Sequence, residues 1–560
     1  MMKRLVSILL LAMPLLAMAQ TQTSVTLEAA GQLSEKIAEA DRFKIAELKI
    51  SGPMNGADIK LMQEIVNRTK AKTKNGECLV TSVDLSGATI VEGKDGMKTK
   101  ANELPNGLFQ GAKLMKVLLP QNVLNVSKNC FQDCKELVSI AIPESVTTID
   151  NQAFQNCEKL VSVSIPAYVT EIGSEAFEDC SALATIDIPA NVREIGKQVF
   201  QGCKQLTTVN IMGNIKEIPS DAFHGCKALK TITIPETVQE LGSSAFEDCK
   251  SLSGIAIQNV QKIGSNCFKD CSSLEEVGLE RISKLGSSAF QDCSNLKNVV
   301  MQGGLDDINN DTFKGCKSLQ SIGLPAGVKS IGSDAFRGCS SLNAIELPTA
   351  LTKIGTHAFE DCSSLNAIVI PNLVKSLSSS AFQNCTQLAN AQINGFVQEI
   401  EADLFKGCSS LQTVSMPTTV KKIGNQAFQG CIALSHIDLP VALQSIGDDA
   451  FEKCNSLTEV KIPVAVTSIG SDAFYECAML TKVELSTALK KIGGSAFQKC
   501  PMLREVVLNS PNPPSISKST FKGVAATFWI PVGSKSLYSA NKDWKKLPTK
   551  ERSLTPTTIM

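Results

Sequence analysis

Residues 134–156 read Cys134-x-x-Leu137-x-x-Ile140-x-Ile142-Pro143-x-x-Val146-x-x-Ile149-x-x-x-Ala153-Phe154, and Cys157 starts the unit again. The frame continues through Cys180, Cys203 and Cys226 to Cys500. Alternation at Ile140 and Ile142 predicts a strand that turns these side chains inward and turns Ser139 and Ala141 outward. Pro143 ends the strand, because it has no N–H to give to a ladder. Val146 and Ile149 bring the chain back along the other side. A glycine often follows, as at Gly173, Gly196, Gly242 and Gly332, and suits a tight turn with positive φ. Ala-Phe-x-x-Cys-x-x-Leu suits a short helical or 3₁₀ turn with Phe and Cys on one face.

One such unit cannot bury its own core; stacking does that. Of 22 Phe, 19 recur at intervals of 22 to 24 residues, from Phe109 to Phe521, and 17 of 20 Cys lie three residues after one of them. This distribution marks a repeat array, not the three or four mixed domains that 560 residues would otherwise suggest. With the earlier strand-like piece Val80-x-x-Val83-x-Leu85, the Phe positions give about 20 coils. At roughly 4.8 Å per strand the sheet is on the order of 90 Å long. Some units depart from the frame. Cys249 to Cys271 and Cys271 to Cys293 lack the Pro, with Gln258 and Glu280 in its place. Residues 86–103 are an insertion, Gly111-Ala112 lacks the Cys, and Val524 replaces it in the last unit.

The ends differ in kind. Lys3 and Arg4, the apolar run Leu5 to Leu16, and Ala17-Met18-Ala19 form a secretory signal over residues 1–19, with Gln20 as the expected mature N-terminus. No other run is long enough to span a bilayer. Leu547-Pro548-Thr549-Lys550 fails as a sortase signal, so the mature chain is expected to be exported without an anchor. Residues 20–76 read as an N-terminal α/β cap: a short helix over Leu33 to Ala40, a strand over Ile45 to Ile50, and an amphipathic helix over Asp58 to Lys70 with Ile59, Met62, Ile65 and Val66 on one face. The solenoid covers 77–527. Residues 528–560 form a small C-terminal cap in which Phe528-Trp529-Ile530-Pro531 is the last strand and Tyr538 and Trp544 follow in a helical tail. Aromatics cover an open core end economically.

The unit closely resembles the BspA-like, or Treponema pallidum-type, leucine-rich repeat. Leu48-Lys49-Ile50-Ser51-Gly52-Pro53-Met54-Asn55-Gly56-Ala57-Asp58-Ile59 resembles the N-terminal segment of such proteins from Bacteroides-like bacteria. Ile530-Pro531-Val532-Gly533-Ser534 with Tyr538 and Trp544 resembles their closing segment. The resemblance implies an α/β repeat solenoid with a parallel sheet on one face. It also implies a secreted or surface protein, with adhesion to host matrix proteins or other bacteria as the expected use and no catalytic residues to carry over.

The cysteines have two readings. Equivalent Cys on neighbouring coils would sit about 4.8 Å apart, wider than the roughly 3.8 Å a disulfide wants between Cβ atoms. The ladder therefore reads as buried thiols acting as small apolar side chains. Cys130–Cys134 and Cys267–Cys271 stay open as local bridges, and Cys78 is the expected exposed thiol. No cofactor is called for, and zinc would need a second pair of ligands close by. Lys+Arg and Asp+Glu are both 55, which leaves no basic excess for nucleic acid. Gly87 to Lys94 fails as a phosphate loop, because five residues separate the glycines and Asp95 stands where Ser or Thr belongs.

The outward strand positions form the candidate binding face. They begin small and mostly neutral, at Thr185, Asp187, Thr208, Asn210, Thr231 and Thr233. They become charged at His436, Asp438, Glu459, Lys461, Lys482 and Glu484, expected on three consecutive strands. The face shows no Trp or Tyr platform for carbohydrate before Trp529. Thr413, His436 and Glu459 fall in equivalent positions and imitate a catalytic triad, but an open sheet offers no oxyanion donor. The sequence thus predicts a non-enzymatic, exported, protein-binding solenoid. The alternative is a structural or scaffolding protein of the periplasm or envelope.

Overall fold

The computed structural model describes residues 21–67 and 79–553. The predicted signal sequence over residues 1–19, Cys78 and the predicted end of the second helix at Lys70 lie outside those residues. The chain forms two compact units, residues 1–206 and 207–560.

The first unit opens with β1 (Thr21–Thr26), α1 (Leu33–Lys36), β2 (Ile45–Met54), α2 (Gly56–Val66) and β3 (Ser82–Ile90). β1 pairs parallel with β2, β2 with β3, and β3 with Lys116–Leu118, so these three strands run straight into the repeat sheet. α2 buries Ile59, Met62, Ile65 and Val66, the face its periodicity predicts. A capping box starts it: Asn55 Oδ1 accepts from the Ala57 and Asp58 N–H groups, and Asp58 accepts from the Asn55 N–H at 3.0 Å. The Asp58 carboxylate is buried and also accepts from the Gly31 and Leu33 N–H groups at 2.6 and 2.9 Å, which ties α1 to α2.

In most repeats the strand falls where the sequence places it. Ser139–Ala141 pairs with Ser162–Ser164 in register, and in the second unit Ala367–Ile370 pairs with Asn390–Ile393 and that with Thr413–Ser415. Pro143 stops the strand, and its carbonyl accepts from the Val146 N–H at 3.0 Å to turn the chain. In the Pro-less unit from Cys249 the strand near Gly254 is reduced to one bridge with Glu276, while the equally Pro-less next unit keeps the four-residue strand Glu276–Leu279.

Three features differ from expectation. First, the return side is itself a parallel ladder of two-residue strands. In the first unit Asn125–Val126, Thr148–Ile149, Glu171–Ile172 and Glu194–Ile195 pair in register. The repeats are all-β, with no α-helix among the described residues between α2 and Lys535. Second, counting one front strand or its equivalent per coil gives about 23 turns. The three beyond the predicted 20 are β1, β2 and Thr549–Arg552, which follows Thr527–Pro531 and pairs with it, so Phe528–Pro531 is not the last strand. Third, Gly173, Gly196, Gly242 and Gly332 do not have positive φ. A Cβ on Gly173 would sit 2.5 Å from the Asn151 nitrogen, and one on Gly242 would sit 2.4 Å from the Ser220 nitrogen. Close approach of the preceding coil's backbone requires glycine there.

Positive φ falls instead on two residues flanking each repeat Phe from Phe109 to Phe497, such as Gln152 and Asn156 around Phe154. The Phe turn is therefore neither α nor 3₁₀ helix. It keeps an i→i+3 bond, Cys157 N–H to the Phe154 carbonyl at 3.1 Å, inside a chain that alternates handedness. The strain is held by the next coil, whose Ser174 and Glu178 carbonyls accept from the Gln152 and Asn156 N–H groups at 2.9 and 2.8 Å.

The Phe rings stack in offset parallel pairs, from Phe109 to Phe200 in the first unit and from Phe223 to Phe521 in the second. At the C-terminal end the geometry changes. Phe528 meets Phe521 edge-on at 4.9 Å, and Trp544 meets Phe528 and Tyr538 edge-on at 6.0 and 5.3 Å. Tyr538 and Trp544 are buried, and donate to the Ser510 and Pro514 carbonyls at 2.9 and 2.7 Å. Tyr538 lies on the helix Lys535–Ala540.

The described cysteines, Cys130 to Cys500, are all buried thiols, including those of the two candidate local bridges. Cys157 donates to the Phe131 carbonyl at 3.2 Å and Cys339 to the Phe313 carbonyl at 3.1 Å, 26 residues back in each case.

Phe313 is fully buried and stacks on Phe290 and Phe336 at 5.5 Å each. Phe313→Ala should cost about 3–5 kcal/mol and split the calorimetric unfolding of the array, because coils couple only to neighbours. An unchanged single transition would place Phe313 outside the core.

The residue after Phe forms its own ladder in the first unit. Gln110 donates to Gln132, Gln132 to Gln155, and both Gln155 and Gln201 to Glu178. Burial raises the Glu178 carboxyl, the Gln155 bond lowers it, and Glu175 and Asp179 raise it further; the net direction is up. A carboxyl raised on folding contributes stability that is full below its unfolded value and is lost as pH rises through the folded value. Glu178→Gln should therefore melt with wild type near pH 4 and above it at pH 7, followed by circular dichroism. Equal midpoints at pH 7 would contradict the assignment.

Candidate functional site

Outward residues come from the odd positions of each front strand, because their neighbours must fill the core. The structure places the predicted face in both units. Thr185 and Asp187 are exposed in the first. In the second, Thr208 pairs with Thr231 and Asn210 with Thr233, and the Thr233 hydroxyl lies 3.5 Å from Asn210 Oδ1.

The charged group divides. Glu459–Lys461 and Lys482–Leu485 are true neighbours, with Glu459 beside Lys482 and Lys461 beside Glu484. The next strand sets Glu505 beside Lys482. Charges thus alternate along one row, Glu459, Lys482, Glu505, and oppose across the other, Lys461, Glu484. Arg552 holds Glu505 at 3.2 Å and Lys482 lies 3.9 Å from it, while Asn509 donates to Glu484 at 3.3 Å. Glu459 and Lys461 are exposed and have no ion pair among the described residues. His436 and Asp438 do not complete a third strand. No strand forms around them; Ser435 keeps a single backbone bond, accepting from the Thr458 N–H at 3.3 Å. The His436 ring instead meets Asp438 at 3.0 Å on its own segment, with both side chains open to solvent. The triad imitation fails for the same reason: the Thr413 hydroxyl lies 2.6 Å from Asn390 Oδ1 and His436 faces Asp438.

Two further features escaped sequence reasoning. Met115, Val138 and Val161, each directly after the buried Leu of its coil, form an exposed apolar stripe. Backbone bonds hold it in line: Val138 N–H to the Met115 carbonyl at 3.2 Å and Val161 N–H to the Val138 carbonyl at 3.1 Å. The signal was present, three large apolar residues in a row at one frame position. In the second unit a shallow depression of about 260 Å³ opens over Ala367–Val369, Asn390–Gln392 and Thr413–Ser415. Ala391, standing where most coils carry Ile or Val, was its only sequence trace.

Among the described residues there is no group of three or more His, Cys, Asp or Glu arranged to hold a metal, and no helix long and apolar enough to cross a membrane.

A family model described as "BspA type leucine rich repeat region (6 copies)" matches residues 102–230, 200–320, 306–435 and 421–528. Among solved structures, a leucine-rich repeat protein from Bacteroides ovatus is 25% identical, with a TM-score of 0.45 over 75% of this chain and 92% of that one. A leucine-rich cell surface protein from Faecalibacterium prausnitzii is 26% identical, with a TM-score of 0.35 over 61% of this chain and 90% of that one. The Treponema pallidum leucine-rich repeat protein is 26% identical, with a TM-score of 0.27 over 29% of this chain and 76% of that one. No curated protein matches.

Proposed function

Since the chain belongs to the BspA-type leucine-rich repeat family, we propose that it is an exported, non-enzymatic solenoid that binds other proteins through its outward strand positions, and that adhesion to host matrix proteins or other bacteria is its use. The observation that carries this reading is the block of Glu459, Lys461, Lys482 and Glu484. Four charged side chains stand in strand register on a rigid sheet, and Glu459 and Lys461 lack ion pairs among the described residues. Such a surface favours a partner with the complementary order of charges and rejects one with the reverse, which governs selectivity and encounter rate more than raw affinity. Its exposed pairs contribute little to folding, about 0–1 kcal/mol each. Affinity then comes from area, or from many copies on one surface.

Lys461→Glu with Lys482→Glu should weaken attachment to a matrix protein or partner cell and leave the melting temperature within about a degree of wild type, since rim charges are nearly neutral for stability. Wild-type attachment should fall as salt rises, because exposed charges are screened beyond roughly 8–10 Å. Undiminished attachment by the double variant moves the site elsewhere. Failure of the wild type to attach to any matrix protein or cell at any salt concentration overturns adhesion in favour of the envelope scaffold.

A further inference from the structure

The depression over the strands Ala367–Ile370, Asn390–Ile393 and Thr413–Ser415 differs from the charged block in every respect that matters for a ligand. None of its nine lining residues carries a charge. Two rows of side chains cross it: Ala367, Asn390 and Thr413 in one, and Val369, Gln392 and Ser415 in the other, held in register by the ladder. Two of these are carboxamides, the side chain closest in chemistry to a peptide group, with both a donor and an acceptor end. Asn390 Oδ1 accepts from the Thr413 hydroxyl at 2.6 Å, which leaves its NH₂ without a partner among the described residues. Gln392 uses its NH₂ on Asn394 Oδ1 at 2.9 Å, which leaves its carbonyl oxygen. One free donor and one free acceptor thus stand two residues apart on one strand. Like-facing residues in an extended chain repeat at roughly 6.4–6.8 Å, so a peptide laid along this strand meets both with groups two residues apart.

The size and the rim narrow the ligand further. About 260 Å³ is below the roughly 300–1,000 Å³ of sites that enclose a small molecule. It suits one short side chain of a longer ligand. Val369 is 52% exposed on the rim, and Leu373 and Phe396 are 50% and 63% exposed on the turns that follow the same two strands. Those turns touch: a Cβ on Gly395 would sit 2.4 Å from the Val374 carbonyl oxygen, so glycine lets the Phe396 turn pack against the Leu373 turn. The exposed apolar residues of these two coils therefore gather on one side of an uncharged, amide-bearing floor.

We propose that this depression is a binding site for an uncharged, extended peptide segment, with a short aliphatic side chain in the depression and its backbone on Asn390 and Gln392. The inference rests on the protein-binding reading for its class of ligand, and its location is independent of the charged block. A heptapeptide of alternating Ser and Thr with a central Val, N-acetylated and C-amidated, is the probe, titrated against the full chain by calorimetry and by fluorescence polarisation of a labelled copy. Saturable binding is expected, at least tenfold weaker when the central Val is Asp and unchanged between low and high salt. Ala367→Trp, which fills the depression from an exposed position, and Asn390→Leu with Gln392→Leu, which removes the amides, should each weaken it at least tenfold. Lys461→Glu with Lys482→Glu should leave it unchanged, so loss of the charged-face reading and loss of this one are told apart. Absence of saturable binding up to millimolar peptide, or wild-type binding by Ala367→Trp and by the double Leu variant, overturns the proposal.

Discussion

The peptide group of each repeat Phe is the point on which the coils depend. Its N–H reaches forward to the carbonyl of the residue before the next coil's Phe: Phe131 to Ala153 at 2.7 Å, Phe290 to Thr312 at 2.9 Å, Phe313 to Ala335 at 2.8 Å. Its carbonyl accepts twice, from the Cys N–H three residues on and from the Cys thiol of the next coil. Phe313 receives these from Cys316 at 3.1 Å and from Cys339 at 3.1 Å. A buried carbonyl has two lone pairs and no water to fill them, so leaving one empty carries a cost. A thiol satisfies it weakly and adds little desolvation penalty of its own. Alanine would leave the carbonyl half-satisfied, and serine would bury a more strongly hydrated group. Cysteine recurs because it fits this place as a side chain, and ladder sulfurs such as Cys157, Cys339 and Cys454 donate to the Phe carbonyl of the preceding coil.

With the core fixed this way, the outward positions are released from any structural duty, and the two units use them differently. The first carries hydroxyls, small residues and the Met115–Val138–Val161 stripe. The second begins with Thr208, Asn210, Thr231 and Thr233 and goes on through the neutral amides of Asn390 and Gln392 to the opposed charges of Glu459, Lys461, Lys482 and Glu484. A rigid backbone with a free choice of side chain at each front position presents different chemistry at different coils. The family's repeat therefore says little about what any member binds, and the ligand must be argued from those positions one by one.

The core was legible because its signals are long-range and redundant. Phe, Cys, Leu and the Ile pairs recur so often that the frame survives departures such as Gln258 and Glu280. What stayed hidden is local or set by the neighbouring coil. Two-residue strands such as Thr148–Ile149 are too short to show a period. The left-handed residues include Asp, Asn, Gln, Ser, Glu, Lys and His, and the adjacent coil's carbonyls hold many of them, as Ser174 and Glu178 hold Gln152 and Asn156. Gly173 reads in the sequence as a turn with positive φ and is in fact a site of close backbone approach, since the two leave the same letter. β1 and Thr549–Arg552 lie outside the frame and carry none of its marks. Of the candidate face, the register of Glu459 with Lys482 follows from the frame. The closure of His436 on Asp438 does not, because a side-chain pair within one segment leaves no periodic trace.

The central claim is that the cysteine ladder is a set of buried thiols bonded to phenylalanine carbonyls. Burial pushes Cys134, Cys408 and Cys500 up to about 12, far above the pH at which a thiol is ordinarily alkylated. Alkylation at pH 8.5 without reductant, read cysteine by cysteine by mass spectrometry, tests it directly. The native protein should leave Cys130 to Cys500 unmodified, and denaturant should open all nineteen of those positions to the reagent. Rapid modification of ladder cysteines in the native protein, or positions that stay blocked after denaturation because they are cross-linked, would contradict it.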